Sequence, residues 1–224
     1  MRLPKSTMPL SPRSVKEPSL DTLPNLMRYF YQFLAGKPRL HYWQKKLLHW
    51  DTRLCLQVNL LSHQKWVAQF FKGISRLGDG WFWLLALVIV TVEWVWQAQA
   101  PHLIMIKVVA VVFTSSCGYG LYKLLKIHTV RPRPYQVHQA ITLGERPLDV
   151  FSFPSGHTLQ AVLWTVMLGY QAPVLLWLLL PFTLLVALSR LVLGLHYPSD
   201  VMVGAGIGAA FAFVGNRLSD YMTP

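Results

Sequence analysis

The stretch GWFWLLALVIVTVEWVWQ, residues Gly80 to Gln97, holds a single charged side chain, Glu93. After a short loop comes Pro101 to Tyr122, whose one charge, Lys107, lies near its start. As helices, both runs are long enough to cross a hydrocarbon core of about 30 Å. Thr158 to Tyr170 and Pro173 to Leu195 form a second pair, and Asp200 to Gly215 makes a fifth segment. The fold class that follows is all-α, a polytopic membrane helix bundle of about five transmembrane helices.

Composition agrees. The 224 residues are 53% hydrophobic and 13% charged, where an ordinary soluble domain has about 25% charged residues. Such apolarity excludes a disordered chain, and two cysteines, Cys55 and Cys117, cannot build a disulfide framework. The formal charge of +12 would suggest nucleic acid in a soluble protein. Here 13 of the 21 basic residues precede Gly80 and flank the apolar runs, so the distribution is that of a membrane protein. No nucleic-acid partner is expected.

Residues 1–24 carry five prolines among scattered charges and read as a mobile basic tail. Over 25–79 the apolar residues are interrupted by Lys45, Lys46, Asp51, Arg53, His63 and Lys65, the pattern of amphipathic helices lying on the membrane. Leu54, Val58 and Leu61, then Val67, Phe71 and Ile74, recur at helical spacing. The bundle occupies 80–217, and 218–224 is a short tail. Glu93 and Lys107 lie at similar depths on either side of a hairpin loop and are expected to face each other. Gly204, Gly206 and Gly208 are expected to serve close helix packing, and Trp81 and Trp83 to be interfacial aromatics.

Three polar islands interrupt the apolar chain, each at the mouth of an expected span. They are Lys126-Ile-His-Thr-Val-Arg-Pro-Arg133-Pro134, then Pro154-Ser155-Gly156-His157, then Ser189-Arg190 through His196 to Asp200. Alternating spans bring all three to one membrane face. Lys126, Arg133 and Arg190 would then surround a multiply charged anion, their donors matched to phosphate oxygens. Ser155 and Gly156 open a helix, where free N–H groups favour an anion. His196 lies four residues before Asp200, so the carboxylate can fix its tautomer and leave the other nitrogen to attack phosphorus. His157 suits a general acid near neutral pH. Arg131 and Arg146 fit either a headgroup contact or a solvated loop and stay outside this core site.

A two-metal site would need several carboxylates. Of the nine acidic residues, only Asp200 and, from the loop, Glu145 or Asp149 can join the cluster, and three cations would repel divalent ions. No metal and no cofactor are expected.

In order, spacing and placement these motifs resemble the signature of the type 2 phosphatidic acid phosphatase superfamily, over about Asp51 to Arg217. The resemblance implies a phosphohistidine on His196 oriented by Asp200, with His157 as general acid. It implies that Lys126, Arg133, Ser155, Gly156 and Arg190 hold phosphate without a metal. The expected activity is hydrolysis of a lipid phosphomonoester or pyrophosphate, with phosphatidic acid, phosphatidylglycerol phosphate, polyprenyl pyrophosphate and lipid A phosphate as candidate substrates. Lipid-to-lipid phosphotransfer is the alternative, because an alcohol can replace water in the second step. Membrane lipids are the other expected partners. The expected location is a bacterial inner membrane, and the bias of basic residues toward the N-terminal region places the pocket on the cytoplasmic face.

Overall fold

The computed structural model describes residues 38–223. The tail expected over 1–24 and the start of the segment expected to be amphipathic lie outside the described residues. Every regular element among the described residues is helical. α1 (Pro38–Asn59) and α2 (Lys65–Leu77) are joined by a single turn of tighter helix. The bundle follows as α3 (Trp81–Trp96), α4 (Pro101–Thr129), the one-turn α5 (Pro134–Val137), α6 (Gly156–Gln171), α7 (Leu176–Val192) and α8 (Pro198–Met222). The chain is a multi-pass membrane protein.

Of the five expected spans, three are long and apolar enough to cross a bilayer: α4 continued through α5, α7 with the short turn before it, and α8. The 16-residue α3 passes that test only together with α2, across a bend of 51°. Also 16 residues long, α6 is too short to cross alone; it is packed by α3, α4, α7 and α8. Its Leu159, Leu163, Met167 and Leu168 meet Trp83, Val90, Trp94, Leu179 and Val186 in the main core. Outward faces are apolar as well, with Leu84, Val88, Phe113, Leu184 and Phe213 exposed. This is the surface a lipid environment accepts and water does not.

Three sequence expectations need correction. Glu93 and Lys107 do not pair. Glu93 accepts a hydrogen bond from Gln97 Nε2 at 3.1 Å, Gln99 Nε2 donates to Gln97 Oε1 at 3.1 Å, and Lys107 donates to Gln99 Oε1 at 3.0 Å. The two charges are therefore bridged by loop amides, which reach across a gap the side chains do not close. Trp83 is no interfacial aromatic: it is 2% exposed and donates to the Gly78 carbonyl at 3.2 Å. On α1 the buried stripe is Asp51, Cys55 and Asn59, and Leu61 lies 46% exposed. That polar stripe faces protein, where its donors and acceptors find partners. α2 has the apolar face its spacing gives, but Val67 and Phe71 on that face are buried against Val192, Leu193 and Leu195 of the protein.

Two of the three clustered glycines near the start of α8 set the approach to α6. A Cβ at Gly208 would lie 2.3 Å from the Leu159 carbonyl oxygen, and one at Gly204 would lie 2.5 Å from that of Ser155. Gly206 has open space around it. Backbone cannot yield as a flexible side chain can, so Gly208→Ala should cost about 1–3 kcal/mol by overpacking. Gly206→Ala should leave the detergent-solubilised protein's melting temperature near wild type. Equal melting temperatures for the two variants would contradict this account of the packing.

Candidate active site

α4 brings Lys126 to one end of the bundle and stops because Pro132 and Pro134 cannot continue a helix. The other two islands reach the same end, one at the first turn of α6 and one in the α7–α8 connection. Together they line a cavity of about 490 Å³ whose walls include Lys126, Arg133, Asp149, His157, Arg190 and His196. The cavity continues between α3 and α4 past Trp83, Leu84, Leu87, Val112 and Tyr119, with Trp164 of α6 at its side. Leu84 and Val112 are half exposed on the outer face. A polar end thus joins an apolar groove that opens sideways.

Lys126, Arg133 and Arg190 are each no more than 5% exposed. Asp149 compensates the first two: its carboxylate oxygens both lie 2.6 Å from Lys126 Nζ, and Oδ1 lies 2.6 Å from Arg133 Nη2. Burial pushes the Asp149 pKa up, but the hydrogen bonds and charges of Lys126 and Arg133 outweigh it and hold the carboxyl below its ordinary value. Asp149 therefore lies between two cations assigned to phosphate. Arg190 Nη1 donates to Ser75 Oγ of α2 at 2.5 Å.

Arg133 Nη1 lies 3.4 Å from His196 Nε2. A guanidinium only donates, so Nε2 is the unprotonated ring nitrogen and Nδ1 carries the proton. Nδ1 points toward Asp200 Oδ2 at 3.7 Å, longer than a hydrogen bond. Burial first, then the charges of Arg133, Arg190 and Lys126, push the His196 pKa well below its ordinary value. The ring is neutral at physiological pH, the form that keeps a lone pair.

Behind the ring stands a network that sequence reasoning missed. Arg131 Nη1 binds Asp200 Oδ1 at 2.6 Å and its Nη2 binds Asp51 Oδ2 at 2.8 Å. Asp200 Oδ2 accepts the Tyr197 N–H at 2.8 Å, and Asp51 accepts the Ser199 N–H at 2.9 Å and contacts its hydroxyl. Arg131, left outside the core site on sequence grounds, is the guanidinium that holds Asp200. Its signal was the Arg-Pro-Arg-Pro repeat, whose two arginines could not be told apart by spacing.

Ser155 also differs from expectation. It is fully buried, its N–H donates to the Asp200 carbonyl at 3.0 Å and its hydroxyl pairs with Thr158 at 2.9 Å. The N–H expected to meet an anion is committed to protein. Gly156 and His157 do line the cavity, and their first-turn N–H groups have no intrahelical acceptor. Asp79, which the sequence reading kept out of the cluster, lines the cavity and bonds His157 Nε2 through Oδ1, because the break between α2 and α3 turns it inward. Glu145 pairs with Arg76 at 2.9 Å. Among the described residues no group of three or more metal-ligating side chains stands together.

A family model described as the PAP2 superfamily matches residues 103–223. An undecaprenyl-diphosphatase of Bacillus subtilis is 32% identical over 111 residues, 50% of this chain and 57% of that protein. A decaprenylphosphoryl-5-phosphoribose phosphatase of Mycobacterium tuberculosis is 39% identical over 94 residues, 41% of this chain and 50% of that protein. The chain spans about half the length of these curated relatives. The crystal structure of a transmembrane PAP2-type phosphatidylglycerolphosphate phosphatase from Bacillus subtilis matches with a TM-score of 0.63. That match covers 88% of this chain and 96% of the other at 22% identity, a shared fold.

If Asp149 occupies an anion position, neutralising it should favour a competing anion. Asp149→Asn is expected to bind orthovanadate about five- to tenfold more tightly, from the loss of one close opposing charge, as read by titration calorimetry. Unchanged or weaker binding would contradict the assignment.

Proposed function

Because the chain belongs to the PAP2 superfamily, we propose that it is a metal-independent phosphatase acting on a phosphomonoester or pyrophosphate of a membrane lipid. The observation that carries this reading is the shape of the cavity, with Lys126, Arg133 and Arg190 at one end and a side-opening apolar groove at the other. An amphiphile whose charged group is a phosphate matches both ends. Similarity to an undecaprenyl-diphosphatase and a decaprenylphosphoryl-5-phosphoribose phosphatase puts polyprenyl pyrophosphates and polyprenyl-linked phosphomonoesters first among the candidate lipids.

In this mechanism the substrate phosphoryl group displaces the Asp149 carboxylate and takes its place beside Lys126 and Arg133. Gly156 and His157 offer first-turn N–H groups to another oxygen. His196 Nε2 attacks phosphorus. Its Nδ1 proton faces Asp200, which favours the cationic ring that forms as the bond is made. The bond from phosphorus to the lipid-side oxygen breaks, and His157 protonates that oxygen. Water then attacks the phosphohistidine, giving its proton to His157 and releasing phosphate from His196. Every charge that develops meets a group already in place, and the cationic cluster supplies what a metal would otherwise supply.

The protein is proposed to sit in the inner membrane of a bacterium. The excess of basic residues before Gly80, seven of which lie on α1 and α2, supports a mouth toward the cytoplasm. α8 runs from the cavity end to the other, so a C-terminal alkaline phosphatase fusion in Escherichia coli should be active. An inactive fusion would reverse the orientation and leave the chemistry untouched.

The direct test is phosphate release by purified full-length protein in excess chelator, across polyprenyl and glycerol lipid phosphates. Wild type should turn over at least one class, and His196→Ala should lose at least about a thousandfold, the scale of deleting a nucleophile. A variant as active as wild type, or activity lost to chelator, would sink the mechanism.

A further inference from the structure

α2 and α3 meet at Gly78-Asp79-Gly80, where the axis bends by 51°. Gly80 takes a φ of +149°, a region that L side chains rarely adopt. On the other side, the Gly78 N–H donates to the Ile74 carbonyl at 3.0 Å, and the Gly78 carbonyl accepts from Trp83 Nε1 at 3.2 Å. Both ends of the break are therefore held, and all three of its residues line the cavity. Irregular backbone at a membrane protein's core is tolerated where it lines such a cavity. The side chain delivered there is a carboxylate, and it bonds the imidazole of His157.

We infer that Asp79 is the positioning residue for the proposed general acid, orienting His157 and keeping its proton available for the departing lipid oxygen. Nε2 is committed to Asp79, so Nδ1 is the nitrogen left for the substrate. The other charged groups facing His157 are Arg190 of α7 and Lys126 of α4, with His196 of the α7–α8 loop across the cavity. Burial first, and then the two cations, act against a proton on the ring, and a bonded carboxylate opposes them. In the first step the electron pair of the breaking P–O bond goes to the lipid oxygen, which takes the Nδ1 proton. His157 is left neutral, its remaining proton on Nε2 and donated in a hydrogen bond to Asp79, with Nδ1 free to take a proton from water in the second step. The matched family region begins at residue 103, so Asp79 lies outside it and outside all three motifs.

This inference rests on the phosphatase reading, and a leaving-group comparison separates the two. Full-length wild type, Asp79→Asn, Asp79→Glu, His157→Ala and the Asp79→Asn/His157→Ala double variant would be assayed on an alkyl lipid phosphate. The same proteins would be assayed on an aryl phosphate, whose nitrophenolate leaves without a proton. Asp79→Asn should lose about 10- to 100-fold in kcat on the alkyl substrate, within the range of general acid catalysis, and less than about threefold on the aryl one. It should add nothing to His157→Ala, and Asp79→Glu, which keeps a carboxylate, should retain most of the alkyl activity. Misfolding lowers both activities together, so equal losses in Asp79→Asn that Asp79→Glu shares would overturn the inference, as would full additivity in the double variant. An active wild type with an unaffected Asp79→Asn overturns it alone, whereas a wild type inert on both substrates overturns the phosphatase reading and this inference with it.

Discussion

Three buried cations at one end of an apolar bundle are the constraint around which the rest of this structure is arranged. Lys126, Arg133 and Arg190 are nearly excluded from solvent, and an isolated buried charge is too costly to persist without partners. The chain answers with carboxylates and carbonyls from every direction. Asp149 bridges Lys126 and Arg133, the Leu195 carbonyl takes Arg133 Nη1 at 2.8 Å, and the Ser75 hydroxyl takes Arg190. These partners come from the N-terminal helices, the α5–α6 loop and the α7–α8 loop. The electrostatic requirement of the site therefore fixes the positions of segments distant in sequence.

The N-terminal helices illustrate this best. Their basic and amphipathic composition points to a membrane surface, yet α1 turns a polar stripe inward. Asp51 holds Ser199 and Arg131, Cys55 Sγ lies 3.7 Å from the His196 carbonyl, and Asn59 Nδ2 donates to the carbonyls of Thr142 and Val192, each at 2.9 Å. With α2 packed on Leu193 and Leu195, the loop carrying His196 is gripped on both sides. The nucleophile proposed on this loop gains from such support, because a small displacement of an attacking nitrogen costs much of the rate.

How much of this was legible in the sequence follows from the range of the interactions. Apolar runs, the three polar islands and the small residues on α8 are local patterns, and local patterns survive in a linear reading. Alternation of spans then sufficed to gather Lys126, Arg133, His157, Arg190 and His196 at one end. Asp79 and His157 lie 78 positions apart and Arg131 and Asp51 lie 80 apart, so no spacing rule connects them. Asp51, Cys55 and Asn59 did carry a signal, one residue every four on a single helix face. The apolar residues between them obscured it. Asp149 was visible as a loop carboxylate able to reach the site, but its role as a counter-ion follows only from seeing both cations on it.

Ser155 shows how a motif residue also holds the site together. Its N–H donates to the Asp200 carbonyl, tying the first turn of α6 to the first turn of α8. Directly below, Gly204 brings its α-carbon against the Ser155 backbone, with no room for a side chain. The two helix starts are thereby locked in register, one presenting His157 and the other following His196 and holding Asp200. Because Asp200 is tied through its main chain to α6 and through its side chain to Arg131 and Tyr197, the carboxylate facing the imidazole cannot shift independently of the phosphate end. Ser155 and Gly204 thus help set the distance between the two imidazoles, and on that distance depends the proposed division of roles, in which one ring attacks phosphorus while the other protonates the oxygen leaving it.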